Sequence, residues 1–340
     1  MVKPSRTGFK VDGTFNAGVV DCDGEVVMLL RVAESAVSRS NNEIDVPMLA
    51  EHLGSWGVTT TTFQRDDSRY EFSDARTIVL KEDTRQAYLT SMSHLRVARS
   101  ANGTDFVVDD EALIFPDNRN ETYGCEDPRI TLIDGVYYIN YSSVSDLGIS
   151  TSLARSTDFK KVEKLGVIFG PDNRDVCFFS ERINGYYWAL HRPAPSHLGK
   201  PEIWLAKSPD LLHWGDHCPM ARGSSNDWEA MKIGGGAPMI KTSKGWLQIY
   251  HGVDKAQRYC LGALLIDAND PTKVIARTQH PILEPTEPYE VDGYFGNVVF
   301  CCGAIIRDNV IHLYYGAADR CMALATFNLD ELWKHLSVHD

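Results

Sequence analysis

No stretch of this 340-residue chain approaches the roughly 20 consecutive apolar residues that a membrane-crossing helix requires. It has no run of lysine and arginine, and its net charge of −12 repels nucleic acid and anionic membrane surfaces. The eight cysteines are scattered, with no C-x-x-C pair and no His/Cys cluster at zinc spacing. They read as free thiols of a reducing compartment, and no metal or organic cofactor is expected. The opening MVKPSRTGFKVDGTFNAG lacks the apolar core of a signal peptide, so the expectation is a cytoplasmic protein. No Pro/Gly/Ser-rich linker divides the chain, which predicts one domain over 1–340. Helical patterning is also scarce. It is confined to DVPMLAEHLGSWG from Asp45 and NLDELWKHL from Asn328.

What the chain has is repetition, which must be sought first because it decides the fold. A small-residue and turn motif recurs as VARSANGTDF, LARSTDF, LAKSPDLLHW, LLIDANDPTKV and LATFNLDEL. Anchored on Ala98, Ala154, Ala206, Leu265 and Ala325, the copies lie 56, 52, 59 and 60 residues apart. A second motif interleaves with it, a tight turn launching an aromatic, β-rich run after Gly24, Gly135, Gly185, Gly245 and Asn309. Asp-Gly and Asn-Gly turns before such runs are strong hairpin signals, because their central residues need positive φ. Gly24 and Gly135 are two repeat lengths apart, and RQAYLTSMSHL from Arg85 is taken to fill the gap. Repeats near 50 residues made of several short strands predict an all-β, five-bladed propeller.

In such a ring the innermost strands line a central channel. Counting from each turn brings Asn16, Arg31, Asp127, Arg192, His251 and Asp319 to equivalent strand ends. Charged groups at the ends of apolar strands are costly to bury without partners. Their convergence predicts a pocket for a ligand with both a hydroxyl face and an anionic group.

The motifs YGCEDPRI, NRDVCFF…LHRP, WEAMKIGGGAPMI…GWLQIYHGV and YFGNVVFCCG…YYGAAD together resemble glycoside hydrolase family 130. That family contains β-mannoside phosphorylases and a smaller set of β-1,2-mannosidases, and its fold is a five-bladed propeller. The resemblance runs from about Asn16 to Leu332. It implies that Asp127 of the E-D-P-R motif is the general acid, with Arg129 of that motif among the sugar ligands. It implies that Arg174, Arg192 and His251 bind phosphate, with Asn173 and Tyr259 beside them. Asn16, Arg31 and Asp319 would hold the sugar next to the bond being cut. Many members have Lys where this chain has Arg174; the cation is kept, and Arg can grip phosphate through two hydrogen bonds.

The resemblance leaves the reaction as the choice to be made. An inverting hydrolase needs a carboxylate base to activate water, whereas a phosphorylase needs cations that gather an anionic nucleophile. Arg174, Arg192 and His251 favour phosphorolysis of a β-mannoside to α-mannose 1-phosphate, with inorganic phosphate as co-substrate. A hydrolytic base would come from Glu229, Asp175 or Glu290. Their structural readings are a loop acceptor, a partner for Arg174 and a turn residue. Glu126 is expected to face away from Asp127, since neighbours in extended chain alternate. The glycines 234–236 read as close backbone packing beside the pocket. YLTSMSHLRVARS leans toward β-1,2 over β-1,4 linkage, and the loop after Arg31 is expected to shape the acceptor side. A sugar-binding propeller without catalysis would show equivalent sites in every blade, whereas here the blade ends differ. A homo-oligomer is left open.

Overall fold

The computed structural model describes residues 2–224 and 227–338. Its strands form five antiparallel meanders that follow chain order. The first comprises Phe9–Cys22, Glu25–Ala36, Met92–Ser100 and Val107–Ile114. The second runs Gly124–Ile133, Val136–Ser145, Gly148–Ser156 and Glu163–Phe169, joined to the first by one parallel bridge, Gly124 to Ser93. The third is Asn173–Phe178, Tyr187–Pro193, Ile203–Ser208 and Gly215–Ala221. The fourth is built from Lys232–Gly235, Gly245–Val253, Tyr259–Ile266 and Val274–Thr278, with Leu336–Val338 on its outer edge. The fifth holds Val299–Arg307, Val310–Ala317 and Cys321–Asn328.

Both repeat motifs fall where the counting put them. Each turn launches the second strand of a meander, and each anchor lies in the third strand, paired across the ladder. The pairs are Met28–Ala98, Ile139–Ala154, Ala189–Ala206, Leu247–Leu265 and Leu313–Ala325. Apolar residues between neighbouring meanders form separate clusters. One contains Leu29, Leu95 and Ile130, the next Leu153, Phe178 and Ala189, then Leu190, Ile233 and Trp246, and then Ile249, Val299 and Leu313. A fifth, with Val19, Met28, Ile305 and Tyr314, joins the last meander back to the first. Each fully buried aliphatic side chain in these seams contributes about 1.5–3 kcal/mol.

The gap between Gly24 and Gly135 holds no extra repeat. Gly24 and Ala98 are 74 residues apart, while the other four turn-to-anchor distances are 16 to 21. The excess is an insertion, residues 37–91, between the second and third strands of the first meander. It folds as the hairpin Glu43–His52/Ser55–Gln64 and a small sheet of Tyr70–Glu71, Thr77–Leu80 and Ala87–Leu89. Val46, Phe63 and Ile78 give it a core of its own.

The helix expected from Asp45 is therefore a hairpin. Val46, Leu49 and Leu53 have helical spacing, but Leu53 is 93% exposed at the hairpin tip. Leu53 and Gly54, at φ 51° and 79°, make the two-residue reversal, and Pro47 would break a helix interior. The C-terminal helix does form, over Leu329–His335, with Asn328 capping Asp330 N–H at 2.7 Å. No helix among the described residues is long and apolar enough to cross a membrane.

Candidate active site

A cavity of about 270 Å³ opens where the first strands of the meanders converge. Three of those strands carry a bulge at equivalent places, each putting a polar residue into left-handed backbone. These are Asn16 (φ 51°), Asp127 (φ 48°) and Asp175 (φ 58°). Asn and Asp tolerate this conformation better than most residues, and the bulge turns the side chain from the ladder toward the cavity.

The same bulge overturns the expectation for Glu126. Alternation fails between Glu126 and Arg129, so Glu126 and Asp127 both line the cavity. Arg31 grips the pair, donating from Nη2 to Glu126 Oε1 at 2.8 Å and from Nη1 to Asp127 Oδ1 at 2.9 Å. Its Nε bonds Ser93 Oγ at 3.0 Å, and its guanidinium lies 4.5 Å from the Phe15 ring centre. Asn16 adds a 3.0 Å hydrogen bond to Asp127 Oδ1. Asp319 completes this end: burial and the nearby Asp127 charge push it up to about 6, against the opposing pull of Arg31. Burial likewise raises Glu126, with Arg31 opposing and Asp127 reinforcing the shift.

The opposite end is cationic. Arg174 and Arg192 stand directly across from each other in the Asn173–Phe178/Tyr187–Pro193 ladder, a like-charge pairing that destabilises a sheet. Arg192 is compensated, since its Nε donates to Asp175 Oδ2 at 2.6 Å. Arg174 is not: its Nε is buried without a hydrogen-bond partner. Asp175, expected to pair with Arg174, instead serves Arg192 and Arg129. Burial alone would raise it, but the guanidiniums of Arg192 and Arg129 hold it below the usual carboxylate range.

Lys232 is the cation that the sequence reading missed. It lines the cavity, its Nζ donates to Tyr259 Oη at 2.6 Å, and burial plus Arg192 and Arg174 bring it down to about 8. Its only sequence signal is its place two residues before the glycine run. Arg76 reaches the cavity from the insertion, packed 3.8 Å from the Phe295 ring centre, and no repeat-based count could have found it.

His251 lines the cavity but is not a cation. Burial pushes it down to about 3, so it is neutral at pH 7, and its buried Nδ1 has no partner. Two other expected site residues lie outside the cavity wall. Asn173 is absent from the cavity wall, its Nδ2 lying 3.0 Å from His191 Nδ1. Arg129 is a buried strut that touches no open space. It donates to the carbonyls of Gly236 (2.6 Å), Gly235 (2.9 Å) and Asp127 (3.1 Å), and to Asp175 Oδ1 at 3.2 Å. The glycines pack as expected: a Cβ on Gly234 would lie 2.6 Å from Asp175 Oδ2 and 2.8 Å from Arg192 Nε. Glu229 is buried outside the cavity against Tyr250 and Arg277, and Glu290 bonds Tyr315 Oη at 2.6 Å from a short capped helix. Among the described residues, no group of three or more His, Cys, Asp or Glu is placed to hold a metal.

A family model described as β-1,4-mannooligosaccharide phosphorylase matches residues 83–337. The chain belongs to glycoside hydrolase family 130. Within family 130 it is 43% identical to the β-1,2-mannobiose phosphorylase of Listeria innocua, over 99% of this chain and 95% of that one. A 1,2-β-oligomannan phosphorylase of a Thermoanaerobacter species is 41% identical over 71% of this chain and 80% of its own. The solved structure of the Listeria innocua β-1,2-mannobiose phosphorylase, in complex with β-1,2-mannobiose, superimposes with a TM-score of 0.94. That match covers 98% of this chain and 94% of the other.

Proposed function

We propose that this protein is an inverting β-mannoside phosphorylase that cleaves β-1,2-mannobiose with inorganic phosphate. The products are α-mannose 1-phosphate and mannose. The observation that carries the reading is Arg174, a guanidinium with an unpartnered buried Nε, set across a ladder from a second arginine and close to Lys232. An anion bound there would relieve both the repulsion and the unmet hydrogen bonds, and an arginine fork suits phosphate.

Asp127 is the general acid, held by Arg31 and Asn16. Its proton passes to the glycosidic oxygen, directly or through a substrate hydroxyl, as the C1–O bond breaks. A phosphate oxygen attacks C1 from the opposite face and forms the new bond, which inverts the configuration. Arg174, Arg192 and Lys232 bind the phosphate, and Tyr259 and His251 supply uncharged polar contacts beside them. Asn16, Arg31 and Asp319 hold the mannosyl unit.

Hydrolysis fits less well. Asp175 is tied up by two arginines and held ionised, which makes it a weak base, and Glu229 lies outside the cavity. A β-1,2 linkage is favoured by the relatives' names and by 43% identity to the Listeria enzyme. We further propose that the five meanders are the blades of one propeller closed by the first and last meanders, and that the enzyme works in the cytoplasm. The eight cysteines, all free, suit that compartment.

The test incubates the enzyme with β-1,2- and β-1,4-mannobiose, each with and without phosphate, and separates the products by chromatography. Mannose 1-phosphate from the β-1,2 disaccharide, formed only when phosphate is present, is the expected result. Free mannose released at the same rate without phosphate overturns the reading.

A further inference from the structure

The bulge after Glu126 turns two adjacent carboxylates into the catalytic cavity, and the chemistry above uses only Asp127. An acid that works at neutral pH must still carry its proton there, and a guanidinium beside a carboxylate favours the opposite. Arg31 would strip Asp127 most effectively by donating both of its Nη groups to it, the two-pronged grip that suits a carboxylate. The observed grip is divided. Nη1 reaches Asp127 Oδ1 at 2.9 Å, Nη2 is drawn to Glu126 Oε1 at 2.8 Å, and Nε goes to Ser93 Oγ at 3.0 Å. Asn16 donates to the same Asp127 Oδ1, so both side-chain donors fall on one oxygen. Among the described residues Asp127 Oδ2 receives no hydrogen bond, which makes it the atom free to hold a proton.

Resting on the phosphorylase reading above, we propose that Glu126 is a positioning residue that keeps one proton on the Glu126–Asp127 pair at neutral pH and leaves it on Asp127 Oδ2. Glu126 does so in two ways. It takes half of the Arg31 fork away from Asp127, and its own negative charge opposes a second one beside it.

The charges that face the pair support this role. Asp319 is a third carboxylate at the same end, pushed up to about 6 by burial and by the Asp127 charge. Burial raises Glu126 as well, with Arg31 opposing and Asp127 reinforcing the shift. The other guanidiniums have partners of their own. Arg129, beneath the pair, is engaged by Asp175 at 3.2 Å and by the Gly235 carbonyl at 2.9 Å. Arg76 faces Asp319 but pairs with Asp74 at 2.8 Å. Arg174, whose charge reaches Glu126, binds phosphate in the proposed mechanism. The Cys302 thiol beside Asp127 is kept protonated by burial and adds no charge. With phosphate in place, Arg31 therefore serves three carboxylates, and such a cluster retains a proton.

The test measures kcat against pH for the wild-type enzyme, Glu126→Gln and Glu126→Asp, with β-1,2-mannobiose and phosphate saturating. Gln keeps the oxygen that Arg31 holds but removes the charge, so Asp127 should lose its proton more easily. The alkaline fall in kcat should move down by about one pH unit, a roughly tenfold loss at pH 7 that acid pH restores. Glu126→Asp retains the charge, and its profile should move far less. A Glu126→Gln profile that stays in place, or is scaled down equally at every pH, overturns the proposal, as do equal shifts in the two variants. If Glu126→Gln does not fold, infrared spectroscopy decides. The wild type should show at pH 7 one protonated-carboxyl band that Asp127→Asn lacks, and identical spectra in that region overturn the proposal. Free mannose in place of mannose 1-phosphate would defeat the phosphorylase reading, while consumption of the disaccharide would still report the pH profiles.

Discussion

The two ends of the catalytic cavity treat charge in opposite ways. At the acid end Arg31 has its carboxylates at hydrogen-bond distance, and Asp127 has a second donor in Asn16. At the cation end Arg174 has an unpartnered nitrogen, and Lys232 has been brought down to about 8 by burial and by its cationic neighbours. Satisfied charges hold a geometry, because removing one partner of a buried pair costs about 3–5 kcal/mol. An unsatisfied one attracts an ion of opposite charge. On the mechanism proposed above, the contrast separates residues that orient the sugar and the acid from residues that recruit phosphate.

The sharpest way to break the contrast is at the acid end. Asp127→Asn keeps the shape and the contacts to Arg31 and Asn16 but removes the proton, and turnover should fall about 10²- to 10⁴-fold. Sugar affinity, measured by calorimetry, should stay within a few-fold. Activity equal to wild type would remove Asp127 from the chemistry.

At the cation end, Arg174→Ala should raise the phosphate KM about 10- to 100-fold, the value of one or two charge-assisted hydrogen bonds. The mannobiose KM should change far less. Equal changes in both constants would erase the distinction between the two ends.

The smallest effect is a titration. Lys232 is depressed to about 8, so it is charged below that pH and loses its proton as pH rises through it. Phosphate KM should therefore climb by roughly three- to tenfold between pH 7 and 9. Lys232→Arg stays protonated across this range and should flatten the climb. Because phosphate's own titration is common to both proteins, the difference between their profiles isolates Lys232.

The succession of meanders was readable because its signals are local. A Gly or Asn turn must take positive φ, and the anchor, Ala in four of the five copies, lies in the third strand of each meander, so both recur with the fold. Asn16, Arg31, Asp127, Arg192, His251 and Asp319 followed from that register, and all six line the cavity. Glu126 was misread because a bulge obeys no two-residue period. The insertion was misread because its 55 residues match one repeat length, so the count stayed whole while the content changed. Lys232 and Arg76 have no counterparts in other meanders and could not be counted at all. Arg129 and Asn173 sit in the right motifs but point into the packing, a direction that depends on neighbours from distant parts of the chain.

Gly234 has a consequence for the history of this site. Any side chain there would collide with Asp175, His251 and Arg192 at once, so the floor beneath the cationic end cannot be edited one substitution at a time. A descendant seeking a different nucleophile must change the walls and leave the floor as it is. Change is thereby confined to the walls, where replacing Arg174 or Lys232 by an uncharged side chain would remove the charge that draws an anion and leave the floor intact.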